Sequence, residues 1–231
     1  MKLRILTHAE RDLRGTLPYL WPEFMKHDPI VNSFWPRLYE LFPDFQFWIV
    51  DGRETVGYAC TVPVRWDGLA EPRGIDWVFS SGQGGEPTTL SAVVTALLPE
   101  YRGKGLSSVL LRRMTSLATA HGFDCMIAPV RPTWKERYPL VPIENYVKWR
   151  REDGFHYDPW IRAHERVGAE VLDPAPRSLT ITGTREEWEE WTELQFPEDG
   201  DYVVPGALTT VRFEGGTGTY VEPNVWLRHP V

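Results

Sequence analysis

The chain is short of several things that would have fixed its class at once. It has only two cysteines, Cys60 and Cys125, far apart and without metal-like spacing. That excludes a disulfide-stapled scaffold and reads as two reduced core thiols, although a bridge between them stays open at this point. No run of 18 apolar residues occurs, and the opening MKLRILTHAERD has no apolar signal core, so neither a membrane span nor a secretory leader is expected. Cations are outnumbered, with 25 Lys and Arg against 32 Asp and Glu. A net charge of −7 gives no broad cationic footprint for nucleic acid. His27, His121, His156, His164 and His229 form no H-x-x-x-H pair and have no cysteine at zinc spacing, so no metal site is expected. No Ser-His-Asp or Cys-His set can be assembled by spacing. Internal repeats and low-complexity linkers are also missing. These absences point to a soluble, cytoplasmic protein without membrane or nucleic-acid partners.

What is present is a chain of 231 residues, long enough to bury a core without staples. Its 20 prolines and 11 tryptophans favour short connections and aromatic packing. Leu3 to Thr7 reads as a first strand. Apolar residues at Leu20, Phe24, Ile30, Phe34, Leu38 and Leu41 recur at helical spacing, and Pro22, Pro29 and Pro36 divide them into two or three short helices. QFWIVDGRETVGYACTVPV is a hairpin turning at Asp51-Gly52. A long glycine-rich loop, RWDGLAEPRGIDWVFSSGQGGEP, follows, with room for a short element within it, and is placed to shape substrate access or a subunit contact, as in a homodimer. Thr89 to Leu98 is almost wholly apolar and should be a central strand. Leu106 to His121 carries a helical stripe, and CMIAPV is another buried strand. Glu144 to Arg151 has helical character. Asp158 caps a helix from Pro159 to about Val167. SLTITG is a strand, and TREEWEEWTEL is a helix with a Thr184–Glu187 capping box. YVVPGALTTVRF and GTYVEPNVWLRH close the chain as β segments. The expectation is one mixed α/β domain over residues 1–231, elaborated from about 182 to 231.

One junction stands out. Between the strand and the helix lies LPEYRGKGLS, Leu98 to Ser107, with two glycines and two cations. Helix N-termini present unpaired N–H groups and positive potential, and glycine lets backbone amides approach an anion. The turn is therefore fit to hold phosphate. The plainer reading, an exposed turn with solubilising charges, has about equal standing on local sequence alone. A P-loop does not fit, since the lysine sits between the glycines. A dinucleotide fingerprint would need glycine where Ser108 stands.

The segment resembles the acyl-CoA signature of the GNAT superfamily of N-acetyltransferases, [R/Q]-x-x-G-x-[G/A]. Arg102 holds the first position, Gly105 the glycine, and Ser107 the last, a mild departure in a small residue. The resemblance implies a mostly antiparallel central sheet flanked by helices, with a splayed strand pair that binds CoA. It implies acyl-CoA, most simply acetyl-CoA, as cofactor. Ala96, Leu97 and Leu98 would then contact the pantetheine arm, and Arg102, Gly103, Lys104, Gly105, Leu106, Ser107 and Ser108 the pyrophosphate. It also implies transfer to the amine of a small molecule by direct attack in a ternary complex. Two other classes stay open: a non-catalytic acyl-CoA sensor or assembly protein, and a nucleotide-binding module.

For the proton donor, the family often has a tyrosine four residues before a glycine. Here His164 stands four before Gly168, so the resemblance gives His164 that role, with Tyr146 and Tyr157 as competitors. Glu222, in YVEPNVWLRH, is the candidate base, with Asp28 behind it as the more ordinary helix cap. Arg131 and Lys135, in RPTWKERYP, suit a cleft rim or a contact to the CoA 3′-phosphate.

Overall fold

A computed structural model describes residues 2–231. Its frame is one nine-stranded sheet. β1 (Leu3–Thr7), β2 (Gln46–Asp51), β3 (Glu54–Val64) and β4 (Thr89–Leu97) follow one another as antiparallel neighbours. β5 (Cys125–Val130) joins β4 in parallel. β9 (Thr217–Pro230) lies antiparallel to β5. On its other flank β9 pairs along its length with β6 (Glu170–Thr184), while on the β5 flank its first residues pair with β8 (Val211–Glu214), beyond which lies β7 (Gly200–Tyr202). The sheet is thus mixed and mostly antiparallel, as expected.

Helices cover both faces. α1 (Pro29–Leu41) and α2 (Gly74–Ser80) lie on one face, over Trp48, Val62, Ile127 and Trp226. α3 (Leu106–Ala120), α4 (Ile143–Tyr146) and α5 (Pro159–Glu165) lie on the other, over Phe47, Leu90, Met126 and Val225. The sequence dictates the boundaries. Asp28 caps α1 by accepting the Val31 N–H at 2.7 Å, and Pro29 follows at the first helical position. Asp158 and Pro159 repeat the device at α5. The predicted capping box closes α6 (Arg185–Thr192) at Thr184 and Glu187.

Two expectations need correction, for Pro36 and for the segment around Glu144, and two others become more specific. Pro36 does not break α1, which runs through it; only one intrahelical hydrogen bond is lost there, and burial of Phe34, Leu38 and Tyr39 holds the turns on either side. The long loop before β4 contains α2, whose residues from Gly74 to Phe79 are all buried. Helical structure around Glu144 is one turn, not a segment reaching Arg151. The last of the C-terminal β segments is central: β9 lies beside β5 in the interior of the sheet. Its run Val225-Trp226-Leu227 is fully buried because helices cover both faces there.

Candidate functional site

The strand that precedes the glycine turn parts from its neighbour. β4 pairs with β5 only at Thr89, Leu90 and Ser91, opposite Cys125, Met126 and Ile127. β4 then continues to Leu97 along β3 alone, and β5 continues to Val130 along β9 alone. A bulge in β4, where the register with Cys60 and Thr61 shifts past Val93, accompanies the parting. The result is a gap whose β4 side ends at Ala96, Leu97 and Leu98. Leu97 turns its side chain toward Gly57 and into the core, so that residue faces the gap through backbone. Ala96 is buried and Leu98 half-buried.

Above the gap, Pro99–Tyr101 forms one 3-10 turn and the chain enters the glycine stretch. Gly103 and Gly105 have φ of 71° and 77°, which only glycine adopts without strain. A Cβ at either would meet nothing within 4 Å, so the surface beyond them is open. Among the described residues, the backbone N–H groups of residues 103 to 108 have no hydrogen-bond partner, the first bond of α3 being Val109 N–H to Gly105 C=O. The Arg102 Nε donates to the Leu97 carbonyl at 3.0 Å, tying the turn to the end of β4. Lys104 Nζ lies over the Tyr101 ring, 5.0 Å from its centre. Neither cation is in an ion pair among the described residues. The residues assigned to the pyrophosphate are therefore contiguous: Arg102 to Gly105 form an exposed turn, and Leu106, buried, with Ser107 and Ser108 opens a 15-residue helix.

The candidate proton donors are placed very differently. His164 is 2% exposed and packs against Trp160. Its Nδ1 lies 2.9 Å from Nε2 of His229. His229 is opposite Met126, where β4 and β5 are still joined, so His164 lies by the closed end of the gap. Burial, with His229 adding to it, lowers the His164 pKa well below its ordinary value. A neutral imidazole bonded to another imidazole has no proton suited to donation at neutral pH, and the acid role given to His164 by position is withdrawn. Tyr146 is fully buried and donates to Asp158 Oδ2 at 3.0 Å. The same oxygen accepts the Trp134 N–H at 2.7 Å. Burial, with Asp158 adding to it, raises the Tyr146 hydroxyl, which is a structural strut. Tyr157 is half-buried, and its hydroxyl lies 3.1 Å from that of Tyr138. Of the three candidates, Tyr157 is the one left partly exposed. Tyr138 was not singled out in the sequence, where it stands among prolines with no spacing signal.

Glu222 lies on β9, beyond the last β5–β9 pair at Val130 and Val225, and is 1% exposed. Its Oε2 accepts from Arg131 Nε at 2.9 Å and from the Tyr220 hydroxyl at 2.9 Å. Arg131 also donates to the Gly206 carbonyl. Lys135 is wholly buried, with Nζ bonded to the carbonyls of Tyr138 at 2.9 Å and Leu208 at 2.6 Å, and burial lowers its pKa to about 8. These cations clamp the segment around Gly206 and Leu208 onto the end of β5. Neither is free for a CoA 3′-phosphate. Tyr19, Trp21 and Tyr58 form a partly exposed aromatic row, with ring centres 5.7 and 6.1 Å apart. Tyr58 is opposite Ala96, at the open end of the gap.

Asp28 and Asp76 were not expected to matter together. Both are buried, at 1% and 7% exposure. Burial raises the carboxyl of Asp76 to about 7, and the Asp28 charge adds to the rise. Burial also raises Asp28, against the N–H groups of Val31 and neighbouring backbone, with Glu222 adding to it. Asp76 stands in a run, GIDWVF, whose buried character is helical and not alternating, and so gave no signal. Cys60 and Cys125 are free and buried; burial pushes Cys60 up to about 12, which makes it a poor nucleophile. Among the described residues no group of three or more His, Cys, Asp or Glu could hold a metal ion. No helix there is long and apolar enough to cross a membrane.

Comparison with known proteins agrees with this geometry. A family model described as "Acetyltransferase (GNAT) family" matches residues 8–137. The arginine N-acetyltransferase avaD of Aspergillus versicolor is 30% identical over 250 residues, covering 92% of this chain and 86% of its own. Among solved structures, the loading GNATL domain of CurA from Lyngbya majuscula superposes with a TM-score of 0.64 at 18% identity, over 99% of this chain and 96% of that one. The GphF GNAT-like decarboxylase, solved with isobutyryl-CoA, gives 0.57 at 14% identity, over 100% and 99%. The two structures speak to the fold.

Proposed function

The chain belongs to the GNAT family of acetyltransferases, and from that premise we propose that it transfers an acetyl group from acetyl-CoA to the amine of a small cationic amino acid, arginine being the first to test. The observation that carries the CoA half is the row of unpartnered N–H groups from residue 103 to residue 108, beside a gap between two parted strands. The turn holds the pyrophosphate of the coenzyme, and the gap takes its pantetheine arm, past Ala96 and Leu98. The acceptor half is supported by the relative that acts on arginine and by the aromatic and acidic side chains around the gap.

The chemistry is direct attack of a neutral amine on the thioester, because no activated nucleophile is available to form an acyl-enzyme. Glu222 does not serve as the base in this reading. The oxygen it turns to Arg131 and Tyr220 already accepts two hydrogen bonds, so it orients Arg131 and the amine gives its proton to solvent in the cleft. The Tyr138–Tyr157 pair supplies a hydroxyl proton to the departing thiolate.

The test mixes the protein with acetyl-CoA and a panel of amino acids and amines, reading free thiol and the mass of the product. Thiol released in step with acetylated arginine supports the reading. Tight CoA binding without turnover on any amine replaces it with a non-catalytic acyl-CoA-binding protein. NADH or ATP bound in place of CoA returns the chain to the nucleotide class.

A further inference from the structure

We propose that Asp76, with Asp28 beside it, forms the subsite for the cationic end group of the acceptor, a guanidinium in the case of arginine. This rests on the acceptor reading above and names the residues that would select for charge.

The fold fixes Asp76 from both sides along α2. The helix begins against β6: the Ile75 N–H donates to Ser178 Oγ at 3.0 Å, and Gly74 has no room for a Cβ against Ser178. Ser178 adjoins Leu179, which is opposite Glu222. One residue past Asp76, Trp77 packs edge-on against Trp226, ring centres 5.9 Å apart. Asp76 therefore stands over the stretch of β9 that carries Glu222, Asn224 and Trp226, on the sheet face covered by α1 and α2. Asp28 reaches the same place from the start of α1, near enough to act on the Asp76 carboxyl and to feel Glu222.

Three oxygens in this region have no hydrogen-bond donor among the described residues: Asp76 Oδ1, Asp28 Oδ2 and Asn224 Oδ1. All three residues are more than nine-tenths buried. All three atoms are acceptors. Asn224 shows that the shortage is of donors, for its amide nitrogen is satisfied by the Pro129 carbonyl at 3.1 Å while its oxygen is not. Buried acceptors left unpaired are costly, and unpaired carboxylates more so. Arg73 acts on the Asp76 carboxyl through its charge, lowering it, but neither Arg73 nor Arg131 is hydrogen-bonded to these oxygens. Arg73 turns to Ser81 Oγ at 3.2 Å, and Arg131 is held by Glu222 and Gly206. A guanidinium brings five N–H donors on a planar fork and a charge that stays on at any working pH. It matches both the number and the sign of what is missing. Glu222 already neutralises Arg131, so that charge does not oppose its entry.

Citrulline separates charge from shape, since it is arginine with a neutral ureido group. Calorimetry on the CoA-loaded protein should show arginine binding at least about 30-fold tighter than citrulline, within the range of charge-assisted hydrogen bonds. Asp76→Asn should reduce the difference to below about 3-fold, with acetyl-CoA affinity unchanged and the melting temperature no lower than wild type. Should that variant not fold, Asp28→Asn is the second arm. Asparagine keeps the helix cap and removes one charge, so arginine affinity should fall about 5-fold and citrulline affinity should not change. Equal binding of arginine and citrulline by the wild type, or no binding of either, overturns the proposal, as does undiminished discrimination in the variant. A solvent-filled polar site would give the first of these. Discriminating binding without acetylated product would leave the subsite standing and remove the enzymatic reading instead.

Discussion

Arg131 Nε lies 2.9 Å from Glu222 Oε2, joining the residue after β5 to its paired neighbour β9. The glutamate is almost wholly enclosed and the arginine side chain 21% exposed. The Tyr220 hydroxyl, which donates to the same oxygen, also accepts the Leu208 N–H at 2.9 Å. One carboxylate thus sets the arginine, the tyrosine and the segment before β8. Removing it while leaving the cation enclosed should be worse than removing both. Glu222→Ala is expected to cost about 3 kcal/mol in denaturant unfolding, and Glu222→Ala with Arg131→Met less than that. A double variant no more stable than the single one would mean that the pair is not energetically joined.

At Gly105 two demands meet. The residue has φ of 77° immediately before α3, and the space where its Cβ would stand is open. Gly105→Val should therefore fold, with local strain on the order of 1–2 kcal/mol, and should cover the N–H groups that an anion needs. Acetyl-CoA affinity by calorimetry is expected to fall at least about tenfold, an order of magnitude set by the loss of one or two hydrogen bonds to a charged group. Unchanged affinity in the folded variant would remove the turn from the coenzyme site.

The sequence carried the coenzyme half of this site and little of the acceptor half, for physical reasons. A turn that must leave amides unpaired and φ positive can be written only with glycine, so Gly103 and Gly105 announce it. β4 and β5 are continuous apolar runs because both their faces are covered. The parting of the two strands carries no sequence mark, since Thr95 and Ala96 look the same paired or unpaired. On the proposed acceptor side each group arrives from a distant element: Asp28 from the start of α1, Asp76 from inside a glycine-rich stretch, Arg131 from the end of β5. Their conjunction has no spacing. His164 shows the opposite hazard. Its place in the chain matched a motif, but β9 brings His229 against it, and no local pattern could reveal that partner.

The tyrosines offer a division between structure and chemistry. Tyr146 is fully buried and bonded to Asp158, which also caps α5. Tyr146→Phe should lower stability by about 1 kcal/mol and leave kcat close to wild type. Tyr157 shares a hydrogen bond with Tyr138 in a half-buried position. Tyr157→Phe should lower kcat at saturating acetyl-CoA with little change in melting temperature. General acid assistance is worth roughly 100-fold or more where the leaving group needs it, and a thiolate needs it less, so a fall of about tenfold is expected. Equal kcat in Tyr157→Phe and wild type, with chemistry rate-limiting, would leave the thiolate to take its proton from solvent.

The His164–His229 contact predicts an acid-sensitive fold. Two imidazoles with nitrogens 2.9 Å apart can share one proton as donor and acceptor while both stay neutral. A second proton would bring two charges together in a dry place. Burial accordingly lowers His229 to about 4, and lowers His164 well below its ordinary value. The unfolded chain takes up these protons near pH 6.5, and the folded one takes them up only at lower pH, at about 4 for His229. Between those values the unfolded state binds more protons, so stability must fall as pH falls from about 6.5 toward 4. His156 adds to the same slope, because burial lowers it to about 4 and its Nδ1 accepts the Asp158 N–H. In His164→Phe with His229→Leu, melting temperature followed from pH 8 to pH 4 should decline less steeply below pH 6.5 than in wild type. The part due to His156 should remain. Activity at pH 8 should survive the change, since neither ring touches the open end of the gap. Parallel melting profiles would show that the pair does not control acid stability, and loss of turnover with intact folding and CoA binding would return His164 to the chemistry.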